Sequence, residues 1–198
     1  MSGFLTIAIT TPQLLGADEG EMISTLLEGG IDIVHLRKPD ASEAGMERLI
    51  ESIPAGLRGR LRLHSHFRLI DAYSLAGAHL NSRCPEYHGA TGSLSRSCHS
   101  LAEVADAQGF EYVTLSPVFD SISKPGYFAA DLPPHLPTFS DPRRVIALGG
   151  VTPSHFPTLA AAGFSGAAML GYIWQDADRD TLAARCREIR RAADSIII

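Results

Sequence analysis

Short apolar runs of β type alternate with segments of helical periodicity from one end of the chain to the other. FLTIAIT (4–10) predicts a first strand, followed by a helical pattern over 18–28 that stops at Gly29-Gly30. IDIVHLR (31–37) predicts a second strand with a helix over 42–53 broken by Pro54, and LRLHSH (61–66) a third with a helix in FRLIDAYSLAG closing on Gly77. AHLNS (78–82) is the fourth, and the segment from Cys84 to Gly89 is too short for a full helix. A less regular fifth strand falls in TGSLSRS (91–97), and HSLAEVADAQG supplies its helix, capped near Ser97 or Cys98 and ended by Gly109. EYVTLSPV (111–118), RVIALGG (144–150) and FSGAAMLGYIW (164–174) complete the strands, with helices over 154–162 and through RDTLAARCREIRRAA after the last two.

Eight strand–helix units in strict order predict an α/β protein, a (β/α)8 TIM barrel formed as one domain over residues 1–198. An open doubly wound sheet is the alternative, but no GxGxxG follows the first strand and eight units is the number that closes.

Composition narrows the function classes. The chain has 198 residues, 45% hydrophobic and 20% charged, which suits a globular protein. A net charge of −5 argues against a nucleic-acid partner, and Arg187, Arg190 and Arg191 read as a solvated helix face. Three cysteines without a CxxC point to a reducing, cytoplasmic setting with neither disulfides nor structural zinc. No apolar stretch reaches the length of a membrane span and no basic leader opens the chain, so no membrane association is expected.

In a barrel of this kind the chemistry gathers where the strands end. The polar residues just past each apolar run include Thr10 and Thr11; His35, Arg37 and Lys38; His64, Ser65 and His66; Asn81 to Arg83; Ser97 and His99; Ser116 to Lys124; Gly149-Gly150; and Gly171-Tyr172. Cations and hydroxyls outnumber carboxylates there, which points to an anionic ligand. Gly149-Gly150 follows the seventh strand and Gly171 the eighth, where backbone N–H groups of this fold hold phosphate; a structural reading, two tight turns, stands beside it.

HLRKP (35–39), GAHLNS (77–82), SCHSLAEV (97–104), SPVFDSISKPG (116–126) and ALGGV (147–151) resemble, in order and spacing, the thiamin phosphate synthase and TenI family. The resemblance implies a barrel binding a thiazole phosphate and, in the synthase branch, an aminopyrimidine diphosphate joined to it with loss of diphosphate. It places Ser121, Ser123, Gly149, Gly150, Gly171 and Tyr172 around the thiazole phosphate, and Arg37, Lys38, His64, Ser97 and Lys124 among the further ligand contacts. Alternation along a strand sends neighbours to opposite faces, and Lys38 sits one position ahead of the family's lysine, where this chain has Pro39.

The acidic residues that support magnesium in the synthases have no counterpart here: His64-Ser65 and Cys84 stand in those places, with Asp120 or Glu86 the only substitutes in view. The TenI branch binds the same phosphate, and some members move a proton on a thiazole carboxylate phosphate to make the ring aromatic. His99 matches the histidine of that branch, and a histidine suits proton transfer near neutral pH. His64 and His66, one residue apart, share a strand face in this reading. As a metal pair they need His35 or His79 as a third ligand, and ligand contact or packing is preferred to a metal.

The expectation is therefore a TenI-like thiazole tautomerase with His99 and Lys124 as catalytic residues and no cofactor. Thiamin phosphate synthase with Mg2+ is the alternative, followed by a non-catalytic thiazole phosphate-binding protein or a barrel acting on sugar phosphates. A homodimer is possible: SIII at the C-terminus packs either between subunits or onto the barrel floor.

Overall fold

A computed structural model describes residues 3–119, 136–137 and 144–196. Eight parallel strands, β1 (Leu5–Ile9), β2 (Ile33–Leu36), β3 (Leu61–Leu63), β4 (Gly77–Leu80), β5 (Ser93–Cys98), β6 (Tyr112–Leu115), β7 (Arg144–Leu148) and β8 (Gly166–Met169), pair in sequence order. β8 returns to β1 through the register Leu5↔Gly166, so the barrel closes as expected. Around it lie α1 (Glu19–Glu28), α2 (Glu43–Glu51), α3 (Ala55–Arg58), α4 (Leu69–Tyr73), α5 (Leu101–Asp106), α6 (Phe156–Ala161), α7 (Gly171–Trp174) and α8 (Arg179–Asp194).

The strands read as nearly unbroken apolar runs because both their faces are covered. Outward residues such as Ala8, Val34, Leu63, Val113 and Ala167 pack against Ile23, Leu26, Ile50, Phe156 and Ile189 of the helices. The alternate positions fill the barrel, and they divide it. Leu5, Ile7 and Ile9 of β1, Ile146 of β7 and Ala168 of β8 make an apolar wall. Opposite them, β2 to β6 place His35, Arg62, His79, Ser95, Thr114 and the Tyr112 hydroxyl inside, all buried. The two terminal nitrogens of Arg62 bond the carbonyls of Ala78 and Ser93 and pair with Glu111 at 2.6 Å, its buried Nε has no partner among the described residues, and its guanidinium lies over the Tyr112 ring.

Four local expectations are corrected. β3 stops at Leu63, because the chain turns through His66 at φ 54° and leaves the ladder. β8 stops at Met169: Tyr172, Ile173 and Trp174 are good strand formers, but here they form a helical turn. Burial of Ile173 and Trp174 and a hydrogen bond from Trp174 Nε1 to the Ile9 carbonyl (2.7 Å) hold that turn, so tertiary contact overrides propensity. α5 is capped by Ser100, whose side chain accepts from the Glu103 N–H, because β5 continues through Ser97 and Cys98. Helical structure, expected to stop at Pro54, resumes after it for one turn as α3.

Candidate active site

A cavity of about 630 Å³ opens at the C-terminal ends of the strands. Its wall brings together Arg37, His64, Ser97, His99, Gly149, Gly150, Gly171 and Tyr172 from several different strand ends. Ser121, Ser123, Lys124 and Asp120, with the loop over 124–142 that contains Leu136 and Pro137, fall wholly or mostly outside the described residues.

Arg37 is the cation that β2 delivers to the cavity. Its backbone N–H donates to Thr10 Oγ1 at 2.9 Å, and its half-buried guanidinium forms no ion pair among the described residues. Lys38 goes the other way. Alternation turns it under the β1–α1 loop, where its fully buried ammonium pairs with Glu19 and donates to the carbonyls of Thr11 (2.8 Å) and Gln13 (2.5 Å). Glu19 in turn accepts from the Leu15 N–H at 2.8 Å. Burial pulls the Lys38 pKa below the usual lysine range, against the opposing pull of Glu19. Lys38 therefore braces the rim, and its ammonium is turned away from the cavity where a phosphate contact was expected of it.

Gly149 and Gly150 have φ of +98° and +62°, and a side chain on Gly149 would lie 2.9 Å from Pro117 Cα. That close approach lets the β6 loop dock on β7, with the Val118 and Phe119 amides donating to the Leu148 and Gly149 carbonyls. The amides of Gly149, Gly150 and Gly171 have no acceptor among the described residues and border the cavity. Tyr172 contributes wall but not its hydroxyl, which donates to Glu188 at 2.6 Å beneath the Arg185 guanidinium.

His99 stands at the cavity edge, just ahead of α5. Its Nδ1 lies 3.1 Å from the Ser116 carbonyl, which can only accept, and 3.3 Å from the Ser116 hydroxyl, which can donate or accept; a proton on Nδ1 serves the shorter contact and leaves the lone pair on Nε2. The His99 N–H is held by the Glu103 carboxylate at 3.0 Å.

Below it lies a cluster that strand spacing alone did not bring together. His35, His64 and His79 pack with ring centroids 4.4 to 5.1 Å apart. His35 Nδ1 meets His64 Nε2 at 2.9 Å, and His35 Nε2 meets the Tyr112 hydroxyl at 2.5 Å. His79 uses both nitrogens, on Ser95 Oγ and Ser97 Oγ, each at 2.8 Å. Burial first, then neighbouring positive charge including Arg62, drives His35 and His64 well below the histidine range and His79 to about 3, so the three rings are neutral. His66 does not join them: its ring bonds the Ala41 carbonyl, because the turn after β3 breaks the shared face expected for it and His64. The buried Ser65 hydroxyl, on the cavity wall, has no partner among the described residues.

Among the described residues no carboxylate lines the cavity. Glu86 is exposed and paired with His88. Magnesium needs oxygen ligands and gives up its water reluctantly; the described residues of this rim offer it no carboxylate, and Asp120 lies outside them.

A sequence profile described as Thiamine monophosphate synthase matches residues 6–173. The chain belongs to that family. A putative thiamine-phosphate synthase of Geobacter sulfurreducens is 27% identical over 183 residues, covering 82% of this chain and 83% of the relative. The thiamine-phosphate synthase of Salmonella paratyphi A is 30% identical over 194 residues, covering 88% and 92%. The crystal structure of thiamine phosphate pyrophosphorylase from Bacteroides thetaiotaomicron superposes with a TM-score of 0.79 at 29% identity, covering 96% of this chain and 98% of that one. The thiamine monophosphate synthase family is thus the resemblance carried by HLRKP, SCHSLAEV and ALGGV.

Proposed function

We propose that this member of the family binds a thiazole phosphate in the cavity and transfers a proton on it, with His99 as the base. The observation that supports the reading is the Nδ1 contact to the Ser116 carbonyl, which favours Nε2 as the acceptor at the edge of a cavity bordered by glycine amides without an acceptor among the described residues. The Gly149-Gly150 and Gly171 turns would hold the phosphate and Arg37 a second anionic group such as a carboxylate. His99 Nε2 would take a proton from a carbon of the non-aromatic ring, and return of a proton to the conjugated carbon would leave an aromatic thiazole. The protein's part is to orient the ring and hold that one proton, a contribution of about 10²–10⁴ in rate. Ser121, Ser123 and Lys124 remain assigned to the same ligand from the sequence resemblance.

A second reading, condensation of thiazole phosphate with an aminopyrimidine diphosphate, is favoured by the names of the relatives, which are synthases. Against it stands a wall without carboxylates among the described residues. One pair of assays separates the two. Ring aromatisation of a thiazole carboxylate phosphate, followed by absorbance without added metal, is expected. Diphosphate release from the two synthase substrates, appearing only with Mg2+, would replace the first reading by the second. Binding of thiazole phosphate with neither turnover would leave a binding protein, and preference for sugar phosphates would move the chain to another substrate class.

A further inference from the structure

We propose that His35, His64 and His79 form a binding site for one divalent transition-metal ion of the zinc class, open to the cavity above it. The three side chains come from β2, the residue just past β3, and β4; the inward positions of the alternate strands β2 and β4 share a layer, and His64 stands between them. His35 pairs with Arg62 and Arg62 with Gly77, so His64 and His79, each two residues further on, rise beside His35. One nitrogen from each ring lies within 4.8 Å of the others. Zinc bound to nitrogen at about 2.0–2.1 Å needs ligand atoms roughly 3.3 Å apart in tetrahedral geometry. Small ring rotations, opening the 2.9 Å His35–His64 contact and closing the third side, reach that spacing.

The groups behind the rings argue for the same use. A metal-binding histidine is oriented by a hydrogen bond from its other nitrogen. The Tyr112 hydroxyl takes Nε2 of His35, which presents Nδ1 inward, and Ser95 Oγ takes Nδ1 of His79, which presents Nε2. That Nε2 now contacts only the Ser97 hydroxyl, a group free to rotate away. Three nitrogen donors without a carboxylate suit zinc and exclude magnesium or calcium. Three protein ligands also leave a fourth position, as in sites where the ion binds a reacting molecule. His64 and His79 line the cavity, and the buried Ser65 hydroxyl on the same wall has no partner among the described residues. Neutral ligands leave the ion's full charge in place, so the fourth ligand would be water or an anion such as a carboxylate.

The test uses the full chain, stripped with a chelator and titrated with Zn2+ by calorimetry and with Co2+ by visible absorption. One ion per chain is expected, with the intense visible bands of low-coordinate cobalt. Tyr112→Phe should weaken binding about 10- to 100-fold by removing the orienting hydroxyl, and His79→Gln and His64→Asn should weaken it more. His88→Gln, on an exposed pair with Glu86, should change nothing. Circular dichroism melts accompany each variant, and His64→Asn, at the half-buried rim, gives the decisive reading if His79→Gln unfolds. Binding only at millimolar metal, a stoichiometry other than one, or affinity indifferent to His64→Asn would overturn the site. None of these measurements needs turnover, so the result stands apart from the role of His99.

Discussion

The backbone carbonyl of Ser116 lies 3.1 Å from Nδ1 of His99, joining the end of β6 to the end of β5 and favouring a proton on that nitrogen. A glutamine at this position keeps a polar group of similar reach but cannot exchange a proton near neutrality. His99→Gln is expected to lower ring aromatisation by about 10²–10⁴ while leaving the affinity for thiazole phosphate within a few fold. Paired turnover and calorimetry check this, and equal loss of both would assign His99 to binding.

Arg37 and Lys38 are adjacent in sequence and opposite in fate. Arg37→Gln should weaken binding of a phosphorylated, carboxylate-bearing thiazole by about 10- to 100-fold, as the loss of a charged hydrogen bond of roughly 1.5–3 kcal/mol implies, with little change in melting temperature. Lys38→Met leaves Glu19 buried and unpaired, and breaking such a pair costs about 3–5 kcal/mol. Thermal melts and ligand titrations of the two variants should therefore give opposite patterns.

Stability in acid should fall steeply in the metal-free protein. His35, His64 and His79 have folded pKa values below the unfolded value of about 6.5, that of His79 reaching about 3. Between those limits the unfolded chain binds more protons, so stability rises with pH, is complete above about 6.5, and is lost as pH falls. Three such groups give a limiting slope of about 4 kcal/mol per pH unit. Denaturant melts between pH 7 and pH 4 measure it, and His79→Gln should remove about a third of the slope.

Gly149→Ala places a side chain at φ +98° and within 2.9 Å of Pro117 Cα. The backbone cost alone is about 1–2 kcal/mol. The β6 loop must also shift from its bonds to Leu148 and Gly149, so thiazole phosphate affinity should fall at least tenfold together with the melting temperature. Affinity that survives the substitution would remove this turn from the phosphate site.

The barrel was legible because most strands are apolar runs bounded by glycine or proline, β5 (SLSRSC) being the exception, and because eight strand–helix units in order suit closure. Rim residues were legible for the same reason: Arg37, Ser97, His99 and Gly149 sit at or directly past strand ends. The histidine cluster was legible only in part: the sequence named His35 or His79 as a third partner but paired His64 with His66. The sequence offered His64 and His66 as neighbours on one face, whereas β3 ends before both and only His64 continues inward. The usable signal lay in the other strands, where His35 and His79 occupy inward positions flanked by buried outward residues, and their meeting depends on the stagger between strands. Lys38 was misplaced because its proximity to Arg37 outweighed the alternation that separates them.

The interior divided between an aliphatic wall on β7, β8 and β1 and a hydrogen-bonded wall on β2 to β6 has a consequence for how this scaffold can change. A flat aromatic guest of the kind proposed would meet grease on one edge and hydrogen-bonding groups on the other, which would favour one sense of entry. Substitutions on the aliphatic half would adjust how snugly that guest sits, while new reactivity has to be invented on the half that already carries imidazoles and hydroxyls.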